Sequence, residues 1–196
     1  ELCISPALLD KTYTDQSVKI KRLLEIVKEL VKDNHKILIF SSFKGAVELV
    51  KKEFNKESIS HYVIDGSVSG KDRVMLVDTF NKDNTSCFLI TLKSGGTGLN
   101  LTSADIVIHL DVWWNPQAEN QATDRAHRIG QTKKVTVLKL INKGTVEEKI
   151  IELQEKKRIL SDNLIECKNT TNLDSLTEEE LTNLLSIGYE TDKDSN

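Results

Sequence analysis

Cysteine is scarce in this 196-residue chain: Cys3, Cys87 and Cys167 are odd in number, far apart and never spaced as CxxC. That excludes a disulfide framework or a cysteine zinc site and fits a reducing, intracellular setting. Long apolar runs are missing as well. Nothing approaches the roughly 18 residues that span a bilayer, and no signal-peptide pattern opens the chain, which reads as soluble with no membrane partner. The four histidines (35, 61, 109 and 127) lack metal-ligand spacing, so no metal site is assigned, and His109, inside an apolar strand, reads as a satisfied core residue. A basic excess is also lacking. The net charge of −3 argues against a globally basic nucleic-acid binder, yet seven acids against Lys193 put −6 on residues 174–196 and leave +3 on residues 1–173. The chain starts at Glu1 rather than Met, which points to a piece of a longer protein.

What is present is an alternation of periods. "SVKIKRLLEIVKELVK" (17–32) spaces apolar residues for a helix behind a capping serine, and "KILIF" (36–40) follows as a buried strand. The pattern repeats through helix 44–54, strand 59–65, helix 70–81, and strands 86–91 and 105–110. After them come a helix from about Pro116, a strand at 134–141 and a long helix near 145–166. Strands alternating with helices predict an α/β fold, a mostly parallel sheet covered on both faces. No internal repeat or low-complexity segment precedes the polar "CKNTTN" (167–172), beyond which "SLTEEELTNLLS" (175–186) has the spacing of a small amphipathic helix.

Two stretches carry candidate chemistry. In "QATDRAHRIGQ" (121–131), a continuing helix places Gln121, Asp124, Arg125 and Arg128 on one face, with Ala118, Ala122, Ala126 and Ile129 on another. Most charged helix faces are merely solvated. This one follows a buried strand and the loop "LDVWWNP", where ligand clefts of open α/β sheets form, and paired guanidinium groups suit a polyphosphate. The second stretch, "TLKSGGTGLNLTSAD" (91–105), puts glycines 95, 96 and 98 after a strand, where backbone amides can approach a phosphate and Lys93, Ser94 and Thr97 offer polar contacts. A tight turn with no ligand explains it as well. Trp113 and Trp114 read either as core anchors or as a surface for a sugar or base. "GSVSGKD" (66–72) looks like a phosphate loop but is one residue short of it, and Asp72 stands where a magnesium-binding hydroxyl is required.

These segments together resemble the second RecA-like lobe of a helicase-superfamily-two ATPase, specifically the Swi/Snf-like DNA translocases. "KILIFSSF" (36–43) is similar to motif IV, "YVIDGSVSGKDRVMLVDTFN" (62–81) to the IDGS segment and "LKSGGTGLNLTSAD" (92–105) to motif V. "WWNPQAENQATDRAHRIGQ" (113–131) is similar to the region ending in motif VI. Ser5, where histidine is common, and Val112, where proline is, depart from the pattern away from the site.

The resemblance implies a three-layer α/β/α RecA-like lobe (17–144) behind a link (1–16). A long brace helix (145–166), a polar linker (167–174), a short amphipathic helix (175–188) and an acidic disordered tail (189–196) would follow. It implies arginine fingers Arg125 and Arg128, nucleotide contacts from Gly96, Gly98, Asn100, Gln121 and Asp124, and ATP with Mg2+ held mainly by a first lobe in the same chain. It also implies double-stranded DNA backbone contacts from Ser42, Lys44, Ser67, Lys93, Ser94, Thr97 and Trp114. The lobe alone would be a monomer without ATPase activity. Abundant lysine, asparagine and isoleucine point to an AT-rich genome and a bacterial cytoplasm, with a nuclear location the eukaryotic counterpart. Two alternatives stand: a solitary lobe that only binds DNA or protein, and an RNA helicase lobe.

Overall fold

A computed structural model describes residues 1–164 apart from Lys11, Thr14, Gly96, Thr97, Ile129 and Gly130. The expected linker, short amphipathic helix and acidic tail, and Cys167, lie outside the described residues. Five parallel strands, β1 (Ile37–Ser41), β2 (His61–Ile64), β3 (Cys87–Thr91), β4 (Ile106–His109) and β5 (Thr136–Lys139), form one sheet in the order β2-β3-β1-β4-β5. Strands β1, β3 and β4 are buried throughout, because helices cover both faces. The register pairs Ser41 with Thr91, Phe40 and Lys139 with His109, and Ile64 with Ile90, so all five carboxyl ends finish along one edge.

The helices are α1 (Val18–Lys32), α2 (Lys44–Lys56), α3 (Gly70–Lys82), the single turn α4 (Leu92–Gly95), α5 (Pro116–Thr123) and α6 (Val146–Leu164). Strand side chains alternate between faces and therefore build two cores. On one face Ile37, Ile39, Leu89 and Ile108 pack with Leu23 and Val27 of α1 and Val50 and Phe54 of α2. On the other, Leu38, Phe40, Phe88 and Val107 pack with Val77 and Phe80 of α3 and Ala122 of α5. The arrangement is the expected three-layer α/β/α. Ser17 caps α1 by accepting the Ile20 amide, as its place before the apolar repeat predicts. The stretch resembling a phosphate loop is a helix start: the Ser69 hydroxyl accepts from the Asp72 amide (3.2 Å) and donates to its carboxylate (2.7 Å).

One element departs from the periodicity. The helix expected to run through Arg128 stops at Thr123, after which Arg125 and Ala126 donate to carbonyls only three residues back. The cause is tertiary. The Arg125 carbonyl accepts the Leu101 amide (3.0 Å), and Ala126 is buried against the sheet, so the chain leaves the helical path to pack there.

Burial also silences a thiol. Cys87, fully enclosed in β3, has its pKa pushed up to about 12 by desolvation. Iodoacetamide at pH 8 is therefore expected to leave Cys87 unmodified in the native protein and to alkylate it in urea; mass spectrometry of the peptide reports the outcome.

Candidate functional site

The arginine segment leaves the sheet's carboxyl edge through α5, whose start is set by Asn115, which caps the Gln117 amide, and by Pro116 in the first turn. At its far end the Thr123 hydroxyl meets His109 Nε2 (3.2 Å). Beyond that, Arg125 is buried at 8% exposure while Arg128 is exposed and donates to the Gly98 carbonyl (3.4 Å). The two cations feel each other: burial first, then the charge of Arg128, lowers the Arg125 pKa, and Asp124 works the other way. A buried guanidinium with an exposed one close enough to repel it forms a place where an anion is favourable. Gln121 and Asp124 are exposed beside them rather than aligned on one helical face. Gly98 adopts the left-handed φ of +51° that glycine permits, which lets the loop turn under Arg128. The Asn100 carbonyl is tied to Asn81 Nδ2 (2.8 Å), while Gly96 and Thr97 lie outside the described residues.

Three of the residues expected along a DNA track, Ser42, Lys44 and Ser67, contact two buried acids at the strand ends. Asp65, just past β2, binds the Lys44 ammonium (2.8 Å) and accepts from both the amide (2.8 Å) and hydroxyl (2.5 Å) of Ser67. These bonds hold its carboxyl well below the usual range and raise the Lys44 pKa, so the pair stays charged at neutral pH. Since the folded pKa is depressed, this contribution to stability is present above the unfolded pKa and fades as the pH falls below it. Asp111, just past β4, accepts from the Ser41 hydroxyl (2.5 Å) and the Ser42 amide (3.0 and 3.1 Å); the Ser42 hydroxyl is buried and makes no hydrogen bond. Lys93 is exposed, but Ser94 is buried with its hydroxyl accepting from Thr91 (2.9 Å), so its side chain faces inward. Trp114 is half-buried beside Trp113, ring centroids 6.4 Å apart. Neither acid was among the expected site residues, although each directly follows an apolar strand run, a legible signal for a strand-end anchor.

His109 has the expected core placement, stacked on Phe40 at 5.7 Å, and burial lowers its pKa, yet its Nδ1 has no hydrogen-bond partner. Its polar needs are half met. Among the described residues no three His, Cys, Asp or Glu side chains converge as a metal site requires, and no helix is long and apolar enough to cross a bilayer.

A parallel sheet covered on both faces, with α5 running back over one face to bring the arginine segment against the loop before β4 rather than leaving it at the carboxyl edge, has the architecture of a RecA-like α/β lobe. Residues 18–130 match the helicase conserved C-terminal domain. An ATP-dependent helicase of Mycoplasma pneumoniae is 43% identical over 172 residues, 87% of this chain and 16% of that protein. A putative ATP-dependent helicase/translocase of Bacillus subtilis is 40% identical over 195 residues, 95% of this chain and 21% of the other. Among solved structures, the Sulfolobus solfataricus SWI2/SNF2 ATPase core in complex with dsDNA superposes with a TM-score of 0.70 at 36% identity, covering 95% of this chain and 40% of that one. The chain belongs to the helicase conserved C-terminal domain family, in its Swi/Snf type. It spans about a fifth or less of the curated relatives' length.

Proposed function

We propose that this chain is the second motor lobe of an ATP-dependent double-stranded DNA translocase, supplying arginines to ATP bound on a first lobe and half of the DNA track. The observation that carries the reading is the pair Arg125 and Arg128, close enough for the charge of one to act on the other, beside the 98–101 loop that leads into β4. As water attacks the γ-phosphorus and the bond to the bridging oxygen breaks, negative charge builds on the transferring and leaving oxygens. A guanidinium within reach stabilises that charge more than the ground state. Mg2+ bound with ATP would neutralise phosphate charge, its ligands coming mainly from the first lobe. Lys44, Lys93 and Ser67 stand just past the carboxyl ends of β1, β3 and β2, and contacts of this type hold a phosphate backbone without reading sequence. The dsDNA of the Sulfolobus complex favours duplex DNA as the track over RNA. Lobe closure on ATP and reopening after hydrolysis would then step the protein along the duplex. The proposed location follows the track: the bacterial cytoplasm, or a nucleus in a eukaryote.

The test compares ATP hydrolysis by the full-length protein with duplex DNA, with RNA and with neither, alongside residues 1–196 alone. Duplex DNA is expected to stimulate the full-length protein, and the lobe alone to be inactive. Full-rate hydrolysis by the lobe would refute its dependence on a partner lobe, and stimulation by RNA alone would replace the DNA track with an RNA one.

A further inference from the structure

Beside the arginine segment lies a buried polar ring that the proposed chemistry does not use. Glu119, on α5, is 1% exposed, and Gln154, on α6, is 7% exposed. Glu119 Oε1 accepts the Trp113 amide (2.6 Å) and Gln154 Nε2 (3.3 Å), while the Lys139 ammonium stands 2.5 Å from Oε2, at an angle that makes it an ion pair more than a hydrogen bond. Gln154 closes the ring: its Oε1 accepts from Lys139 (3.2 Å), and its Nε2 also donates to the Trp113 carbonyl (2.5 Å). One glutamine thus ties α6 to α5, to the end of β5 and to the Trp113 carbonyl, while Glu119 holds the Trp113 amide. A buried carboxylate that loses such partners is strongly destabilised, so the ring holds its members in one geometry.

Helix α5 is only eight residues long, and Arg125 and Arg128 follow directly from its end. An element that short has little packing surface of its own, so its tilt is set by what grips Glu119 at its middle and Thr123 at its end. We propose that Gln154 and Glu119 are positioning residues for ATP turnover: docked α6 holds α5, and α5 aims the arginines. The inference rests on the arginines acting at the phosphates. It assigns the long C-terminal helix a part in the reaction, because undocking α6 would release the catalytic segment.

The experiment uses the full-length protein carrying Gln154→Met, which keeps the side chain's length and removes its hydrogen bonds. With saturating duplex DNA, kcat for ATP is expected to fall about tenfold or more, as for a small misplacement of a charged group, while KM stays within about twofold. Amide hydrogen exchange is expected to accelerate in residues 119–127 and to stay unchanged in β1 and β3. An unchanged kcat in folded Gln154→Met, or exchange that accelerates uniformly, overturns the proposal. If Gln154→Met does not fold, Lys139→Gln, whose side chain is 32% exposed, carries the same readouts. Arg128→Ala measured alongside separates the two claims. If it is inactive while Gln154→Met turns over normally, only the positioning role falls. If Arg128→Ala is fully active, the arginine reading fails and this inference with it.

Discussion

Arg128→Ala in the full-length protein is expected to lower DNA-stimulated kcat at least about a hundredfold, some ~2.7 kcal/mol of transition-state stabilisation, with ATP binding and fold intact. The magnitude follows from where the charge sits. Arg128 is exposed, and its side-chain hydrogen bond among the described residues is a long one to the Gly98 carbonyl, so its removal subtracts interactions made with ligand more than with protein. Arg128→Lys keeps the charge but loses the planar fork, and is expected to recover only part of the rate. Arg125→Ala differs, because its guanidinium is buried and its loss also disturbs packing against the sheet. That variant is expected to lose both rate and stability, the second seen in urea unfolding. Rates are compared at saturating ATP, with nucleotide binding measured separately, since a defect confined to binding would show in KM alone. If both alanine variants hydrolyse ATP normally, the two side chains are a charged surface only and the mechanism is wrong.

How much of this was legible depends on whether a side chain's partners are local. The central strands were legible because burial on both faces writes them as unbroken runs, ILIF, CFLI and IVIH. The cap at Ser17 was equally plain, since a cap and its amide lie three residues apart, whereas the cap at Ser69 was hidden in the stretch that looks like a phosphate loop. The end of α5 was not. Helical spacing continues through Arg128, and only the Leu101 amide, which reaches the Arg125 carbonyl from a distant loop, breaks it. The same limit applies to the strand-end residues. Ser67 and Lys44 look like free polar side chains until Asp65 is seen to bind both, and Ser94 looks exposed until the turn of α4 folds it under. Glu119 and Gln154 read as ordinary polar helix residues because their partnership spans 35 positions.

Lys19 is the extreme case, and removing it is expected to have the largest effect on stability. In the run VKIKRLLEIV it looks like a solvated position on the polar side of a helix, yet it is 3% exposed. Its ammonium donates to the carbonyls of Leu110 (3.2 Å) and Leu140 (2.9 Å), just beyond β4 and β5, and to Glu147 of α6 at 2.5 and 2.6 Å. Glu147, 4% exposed, also accepts the Asn142 amide (2.8 Å). One side chain therefore fastens α1, two strand ends and the helix whose docking holds α5. Lys19→Ala leaves a buried carboxylate without its cation and strands two carbonyls, so unfolding of residues 1–196 in urea is expected to lose about 3 to 5 kcal/mol. A pair whose attraction mainly offsets its own desolvation behaves differently when both members go. Lys19→Met with Glu147→Leu, similar in volume and apolar, is expected to recover most of the loss, leaving only the unpaired carbonyls. A Lys19→Ala protein within about 0.5 kcal/mol of wild type would mean that water reaches Glu147 freely, and that α6 is not fastened to the sheet through this pair.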